Sequence, residues 1–76
     1  MVTAYIMIKA NTGDADGLKS RVLDIDGVDR VSIVAGDVDL IAVVDVESPG
    51  QVKEIVANSI QGLAGVEDTQ TYLAMK

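Results

Sequence analysis

The sequence contains no cysteine, no histidine, no phenylalanine and no tryptophan, and it has a single proline, Pro49. Without cysteine, neither a disulfide nor a thiolate metal site can staple the chain. Without histidine as well, the commonest general base, the thiol nucleophile and the soft metal ligands are all missing. Ser20, Ser32, Ser48 and Ser59 therefore have no imidazole to activate them. Neither a GxGxxG loop nor a Walker-type loop occurs, so a nucleotide cradle has no support. Basic residues are few: Lys9, Lys19, Arg21, Arg30, Lys53 and Lys76 lie scattered among 12 acidic residues, and the net charge is −6. Neutralising phosphates takes clustered Lys and Arg, so direct nucleic-acid binding is not expected, and the acidity reads as solubility or adaptation to a salt-rich cytoplasm. No apolar run approaches the roughly 20 residues that span a bilayer. The amino terminus enters a strand pattern directly, without the charged region and cleavage site of a signal peptide. A non-enzymatic, cytoplasmic protein with no cofactor, no resident metal and no membrane attachment is the expectation.

What the chain does have is aliphatic bulk. Of its 76 residues 49% are hydrophobic, chiefly Val, Ile, Ala and Leu, and the only aromatics are Tyr5 and Tyr72. A single domain spanning residues 1–76 is near the size at which one core is barely stabilising. So much apolar surface in so small a body points to self-association as the source of the missing stability.

The first run, Val2 to Ala10, alternates two largely apolar sets, as a strand covered on both faces would. Asn11-Thr12-Gly13-Asp14 breaks it, and Asp14 can cap a helix with an apolar stripe of Leu18 and Val22, extended by Ala15 and Ile25. Gly27 ends that unit. Val28 opens a strand leading to Val31-Ser32-Ile33-Val34-Ala35, and Gly36-Asp37 forms the centre of a hairpin turn before a third strand from Val38 to Val46. Ser48-Pro49-Gly50-Gln51 supplies a capping box with proline at the first helical position. Val52, Ile55, Val56, Ile60 and Leu63 then form an apolar helix face, and Val66 to Met75 reads as a last strand. Gly27-Val28-Asp29 after the first helix is echoed by Gly65-Val66-Glu67 after the second. Strand, helix, strand, strand, helix, strand with such an echo predicts the ferredoxin-like split βαβ arrangement: an α+β fold with helices on one face of a four-stranded antiparallel sheet.

With Gly36 and Asp37 at the turn centre, Val31, Ile33, Ala35, Val38, Leu40, Ala42, Val44 and Val46 share the helix-facing side. The opposite side carries Arg30, Ser32, Val34, Asp39, Ile41, Val43 and Asp45, joined by Tyr5, Met7 and Tyr72. A patch of Tyr5, Met7, Val34, Ile41, Val43 and Tyr72 is too apolar to leave in water, so a dimer formed sheet against sheet is expected.

Carboxylates are the remaining chemistry. Asp14 and Asp16 suit a helix amino terminus, and Asp24, Asp26 and Asp29 surround a turn. Asp37 also suits a turn, whereas Asp39 sits inside a strand pattern, where Asp is disfavoured. Two readings of this site stand side by side. In one, Asp37 and Asp39 are structural, satisfied by Arg30 or by a neighbouring subunit in a purely structural oligomerisation module. In the other, they receive the ammonium of a free amino acid while backbone N–H groups around Gly36 take its carboxylate. Thr69 and Thr71, ordinary strand residues otherwise, offer hydroxyls to such a pocket.

The ordered set Ala4-Tyr5-Ile6-Met7-Ile8, Gly27-Val28-Asp29-Arg30-Val31, Gly36-Asp37-Val38-Asp39-Leu40-Ile41, Gly65-Val66 and Thr69-Gln70-Thr71 resembles the effector-binding (RAM) domain of Lrp/AsnC transcriptional regulators. The resemblance runs from about Ala4 to Met75. It implies pairing through sheet faces, assembly of dimers into octamer-like rings, and a small effector, usually an amino acid, bound between dimers near the loop joining the second and third strands. By position, Gly36, Asp37, Asp39, Thr69 and Thr71 would belong to that site, and Val38 stands where the family often has an aromatic residue. The family's winged helix-turn-helix has no counterpart in these residues. A stand-alone effector domain acting through a full-length, DNA-binding relative is the expectation that follows.

Overall fold

The structure, a computed structural model, describes residues 1–75. Four strands and two helical segments alternate as β1 (Val2–Ala10), α1 (Ala15–Leu23), β2 (Val28–Ile33), β3 (Leu40–Val46), α2 (Pro49–Glu54) continuing into a π-helical turn (Ile55–Ile60), and β4 (Val66–Leu73). The antiparallel sheet has the order β2-β3-β1-β4, so the two outer strands each follow a helix. This is the ferredoxin-like α+β arrangement that the element order predicts.

Local chemistry accounts for the element ends. The Asp14 carboxylate accepts from the Gly17 N–H at 3.0 Å and caps α1. Before α2, the Ser48 hydroxyl accepts from Gln51 N at 3.4 Å and Gln51 Oε1 accepts from Ser48 N at 3.1 Å, completing the capping box. The exits from the two helical segments match each other. Gly27 and Gly65 have φ of 98° and 97°, and the N–H of the next valine reaches back three residues in both, Val28 N to Ile25 O and Val66 N to Leu63 O. That left-handed conformation carries almost no penalty for glycine, which is why the repeated Gly-Val pair marks both turns.

The core lies between the helices and one sheet face. Ala4, Ile6 and Ile8 of β1 and Leu40, Ala42 and Val44 of β3 are fully buried against Leu18, Val22, Val52, Val56 and Ile60. The second helix departs from the single α-helix of the sequence pattern: from Ile55 it widens, and Gln61 N donates to Val56 O, a five-residue step. Val56 and Ile60 remain buried through that turn. The third and fourth strands are shorter than the sequence pattern suggests. The third begins at Leu40 rather than Val38, and the fourth stops at Leu73 rather than Met75. Among the described residues, no helix is long and apolar enough to cross a membrane.

The opposite sheet face has no helix over it. Tyr5 pairs with Val43 on one side and Tyr72 on the other, Met7 with Ile41 and Gln70, and Arg30 with Val43. Tyr5, Met7, Ile41, Val43 and Tyr72 are therefore on one face, as strand alternation requires. Tyr72 and Tyr5 are 54% and 38% exposed, and Met7 and Ile41 are half-buried. Val43 is already covered within the single chain, at 6% exposed, so an added layer would gain little from it. Val34, half-buried, begins the loop beyond β2.

Candidate functional site

The β2–β3 connection departs from a tight turn while keeping its register. Ile33 pairs with Leu40, and Val34 N donates to Asp39 O at 2.9 Å, so Gly36 and Asp37 do occupy the centre. Ala35 to Val38 nevertheless form a wider loop of bends. Gly36 has φ 157°, a positive value that residues with a side chain rarely adopt, although a Cβ built there would meet nothing within 4 Å. The tight-turn geometry expected of Gly36 is thus replaced by an open loop, because four residues rather than two close the hairpin.

Asp39 has a defined partner within the chain. Its N–H donates to Ile8 O at 2.9 Å, and its Oδ2 accepts from Ala10 N at 2.8 Å. The β1–β3 ladder ends at the Ile8–Leu40 pair while β1 continues to Ala10, so the Ala10 N–H lies past the last ladder bond. A backbone N–H in a half-buried position needs an acceptor, and Asp39 supplies one. Arg30, the partner proposed for Asp37 and Asp39 on sequence grounds, instead lies 3.3 Å from Asp29. The reason is local: a bulge around Asp29 precedes Arg30, and the two neighbouring side chains meet in solvent.

Beside this loop is a shallow hollow of about 230 Å³. Asp37 and Val38 reach it from the loop, Met7 and Lys9 from β1, and Asp68, Thr69 and Gln70 from β4. Met7 is directly opposite Gln70 and Lys9 opposite Asp68, so two cross-strand pairs of the uncovered sheet face form one wall. Val38, assigned by simple alternation to the helix-facing side, lines this hollow. Alternation governs only residues in strand geometry, and the strand begins at Leu40. The only ion pair within 4.0 Å among the described residues is Arg30–Asp29, so the Lys9 ammonium stands apart from both the Asp37 and Asp68 carboxylates. One positive and two negative groups thus border an apolar patch of Met7 and Val38.

Of the residues singled out from the sequence, Asp37, Val38 and Thr69 meet at this hollow, while Gly36, Asp39 and Thr71 do not line it. Thr69 and Thr71 pair with Ile8 and Ile6, which face the helices, and the Thr69 hydroxyl accepts from Gln61 Nε2 at 2.9 Å. Their hydroxyls therefore point to the helix side, as alternation from Tyr72 requires. Lys9, Asp68 and Gln70 escape the sequence reading because only the β1–β4 register brings them to the loop. Their sequence signal is the chance to oppose Lys9 and Asp68 as an unlike-charge pair. No group of described residues could hold a metal ion.

The family model of the Lrp/AsnC ligand binding domain matches residues 3–76. No curated protein matches the sequence at significance. Among solved structures, TTHA0845 of Thermus thermophilus is 30% identical, with a TM-score of 0.93, covering 100% of this chain and 95% of its own. E. coli AsnC is 18% identical with a TM-score of 0.90, and the match covers 99% of this chain and 51% of AsnC. The Neisseria meningitidis transcriptional regulator NMB0573, solved in complex with L-Met, is 18% identical with a TM-score of 0.86, with 99% and 50% covered. At such identities the last two likenesses concern the fold, and this chain spans about half the length of those regulators.

Proposed function

The chain belongs to the Lrp/AsnC ligand-binding domain family, and from that premise we propose that it binds a free amino acid in the hollow beside the β2–β3 loop and acts as a regulatory domain. One observation carries the reading: Lys9, Asp37 and Asp68 converge on the same hollow without an ion pair among them, next to Met7 and Val38. A zwitterion presents a carboxylate and an ammonium together, so it can meet Lys9 and an aspartate at once while its side chain covers the apolar pair. The L-Met bound to the Neisseria regulator supports this choice of ligand class by analogy of fold.

We also propose that the uncovered sheet face forms a dimer through Tyr5, Met7, Ile41 and Tyr72, and that dimers assemble further into octamer-like rings. Met7 belongs both to that face and to the hollow. A ligand touching Met7 would therefore bias assembly by linkage, since whatever binds one state more tightly shifts the equilibrium toward it. Regulation of transcription would then run through a DNA-binding relative, as the charge of −6 disfavours direct contact with DNA. The purely structural alternative draws on Asp39, whose bond to Ala10 N gives that carboxylate a role without any ligand.

Calorimetry and thermal shift with each of the twenty amino acids at millimolar concentration test the proposal, using protein purified free of small molecules. Stabilisation by at least one of them, weakened in Lys9→Met, is the expected result. No response to any amino acid would leave the structural alternative standing.

A further inference from the structure

The charge count of the hollow selects among amino acids. Resting on the amino-acid reading above, we propose that the site prefers ligands whose side chain carries a positive charge. Among the described residues, Lys9 is the only cation lining the hollow, and Asp37 and Asp68 are its anions. The α-carboxylate of a bound zwitterion neutralises Lys9 and the α-ammonium neutralises one aspartate. The second aspartate is then left facing the ligand without a counter-charge. A side-chain ammonium or guanidinium supplies it, whereas an aliphatic side chain offers no counter-charge to an exposed carboxylate, which in Asp68 already accepts from Thr69 N at 2.9 Å.

The surroundings reinforce that direction. Asp39 takes no part in this count: it does not line the hollow, and one of its oxygens accepts from Ala10 N. The whole chain carries −6, so its field also favours a cationic ligand. Placing the two aspartates on different elements, Asp37 on the loop and Asp68 on β4, allows them to hold two separated cationic groups rather than compete for one. Gln70, an amide, adds a donor and an acceptor without altering this balance.

Three probes of matched length separate the contributions: L-lysine, L-norleucine, which lacks the side-chain ammonium, and 1,5-diaminopentane, which lacks the carboxylate. By calorimetry at low salt, L-lysine should bind up to about fivefold more tightly than L-norleucine, as expected for one added charge contact at an exposed carboxylate. That preference should shrink in about 0.5 M NaCl, where the Debye length falls to a few ångströms. Asp68→Asn or Asp37→Asn should reduce it to within about twofold. Lys9→Met should weaken both amino acids while leaving 1,5-diaminopentane bound as well as before or better. If L-norleucine binds as tightly as L-lysine to the unaltered protein, the charge preference is wrong and the amino-acid reading survives. If L-lysine keeps its advantage in both aspartate variants, the preference arises elsewhere and the inference falls. If none of the twenty amino acids binds, both readings fall together.

Discussion

Replacing Asp39 by alanine removes the acceptor for the Ala10 N–H, a 2.8 Å bond that ties the β2–β3 hairpin to the end of β1 across 29 positions of sequence. Hydrogen bonds to a charged group contribute roughly 1.5–3 kcal/mol net, and the half-buried setting of this one places it near the lower figure. The Asp39 N–H to Ile8 O bond is backbone only and survives the substitution. Asp39→Ala should therefore cost about 1.5 kcal/mol. Against a total of roughly 4–11 kcal/mol for a domain of this length, that is a substantial share. It corresponds to a fall in Tm of roughly 6–12 °C at this chain size. Asp39→Asn keeps an oxygen acceptor and loses only the charge, so it should lose about half as much. Urea unfolding followed by circular dichroism, at one fixed protein concentration so that any self-association is compared like for like, measures both variants. A loss below about 0.3 kcal/mol for Asp39→Ala, or equal losses for the two variants, would refute the argument that the carboxylate supports the β1 end.

Gly27→Ala should destabilise by about 1–2 kcal/mol in the same assay, since φ is 98° and the added Cβ would come 2.8 Å from Ile55 Cδ1 and 3.0 Å from Val46 Cγ1. Gly36→Ala, with nothing within 4 Å of its Cβ, should cost less than Gly27→Ala, a ranking that urea midpoints check directly. Ser48→Ala removes one arm of the capping box before α2 and should cost about 0.5–1 kcal/mol, measurable as a lowered urea midpoint with unchanged slope. Tyr72→Lys puts a charge on the uncovered face where Tyr72 is 54% exposed, so it should leave monomer stability nearly intact and, under the proposed sheet-to-sheet pairing, lower the mass by light scattering relative to the unaltered protein; equal masses would count against that pairing.

Much of the fold is legible because its signals are local or periodic. The capping box at Ser48, the cap at Asp14, the repeated Gly-Val turns and the alternation in β1 each reside within a few residues. The hairpin register also follows from its own turn centre, since Ile33 pairs with Leu40 around Gly36 and Asp37. The candidate site is only half legible. Asp37 and Val38 belong to that local hairpin, but Lys9 and Asp68, at opposite ends of the chain, meet only because β1 pairs with β4 after both helices have docked. The shift in that pairing at Lys9 and Ala10 is a further detail that no local pattern announces.

Spacing and residue type over short stretches account for the order of elements, their caps, the face each strand buries and the apolar character of the uncovered face. Only the closed sheet makes Asp39 hold the Ala10 N–H and brings Lys9 and Asp68 to Asp37 around one hollow. Those outcomes depend on where the ladders between sequence-distant strands end and shift. Closure of the whole sheet sets that, and the residues on either side of the gap do not.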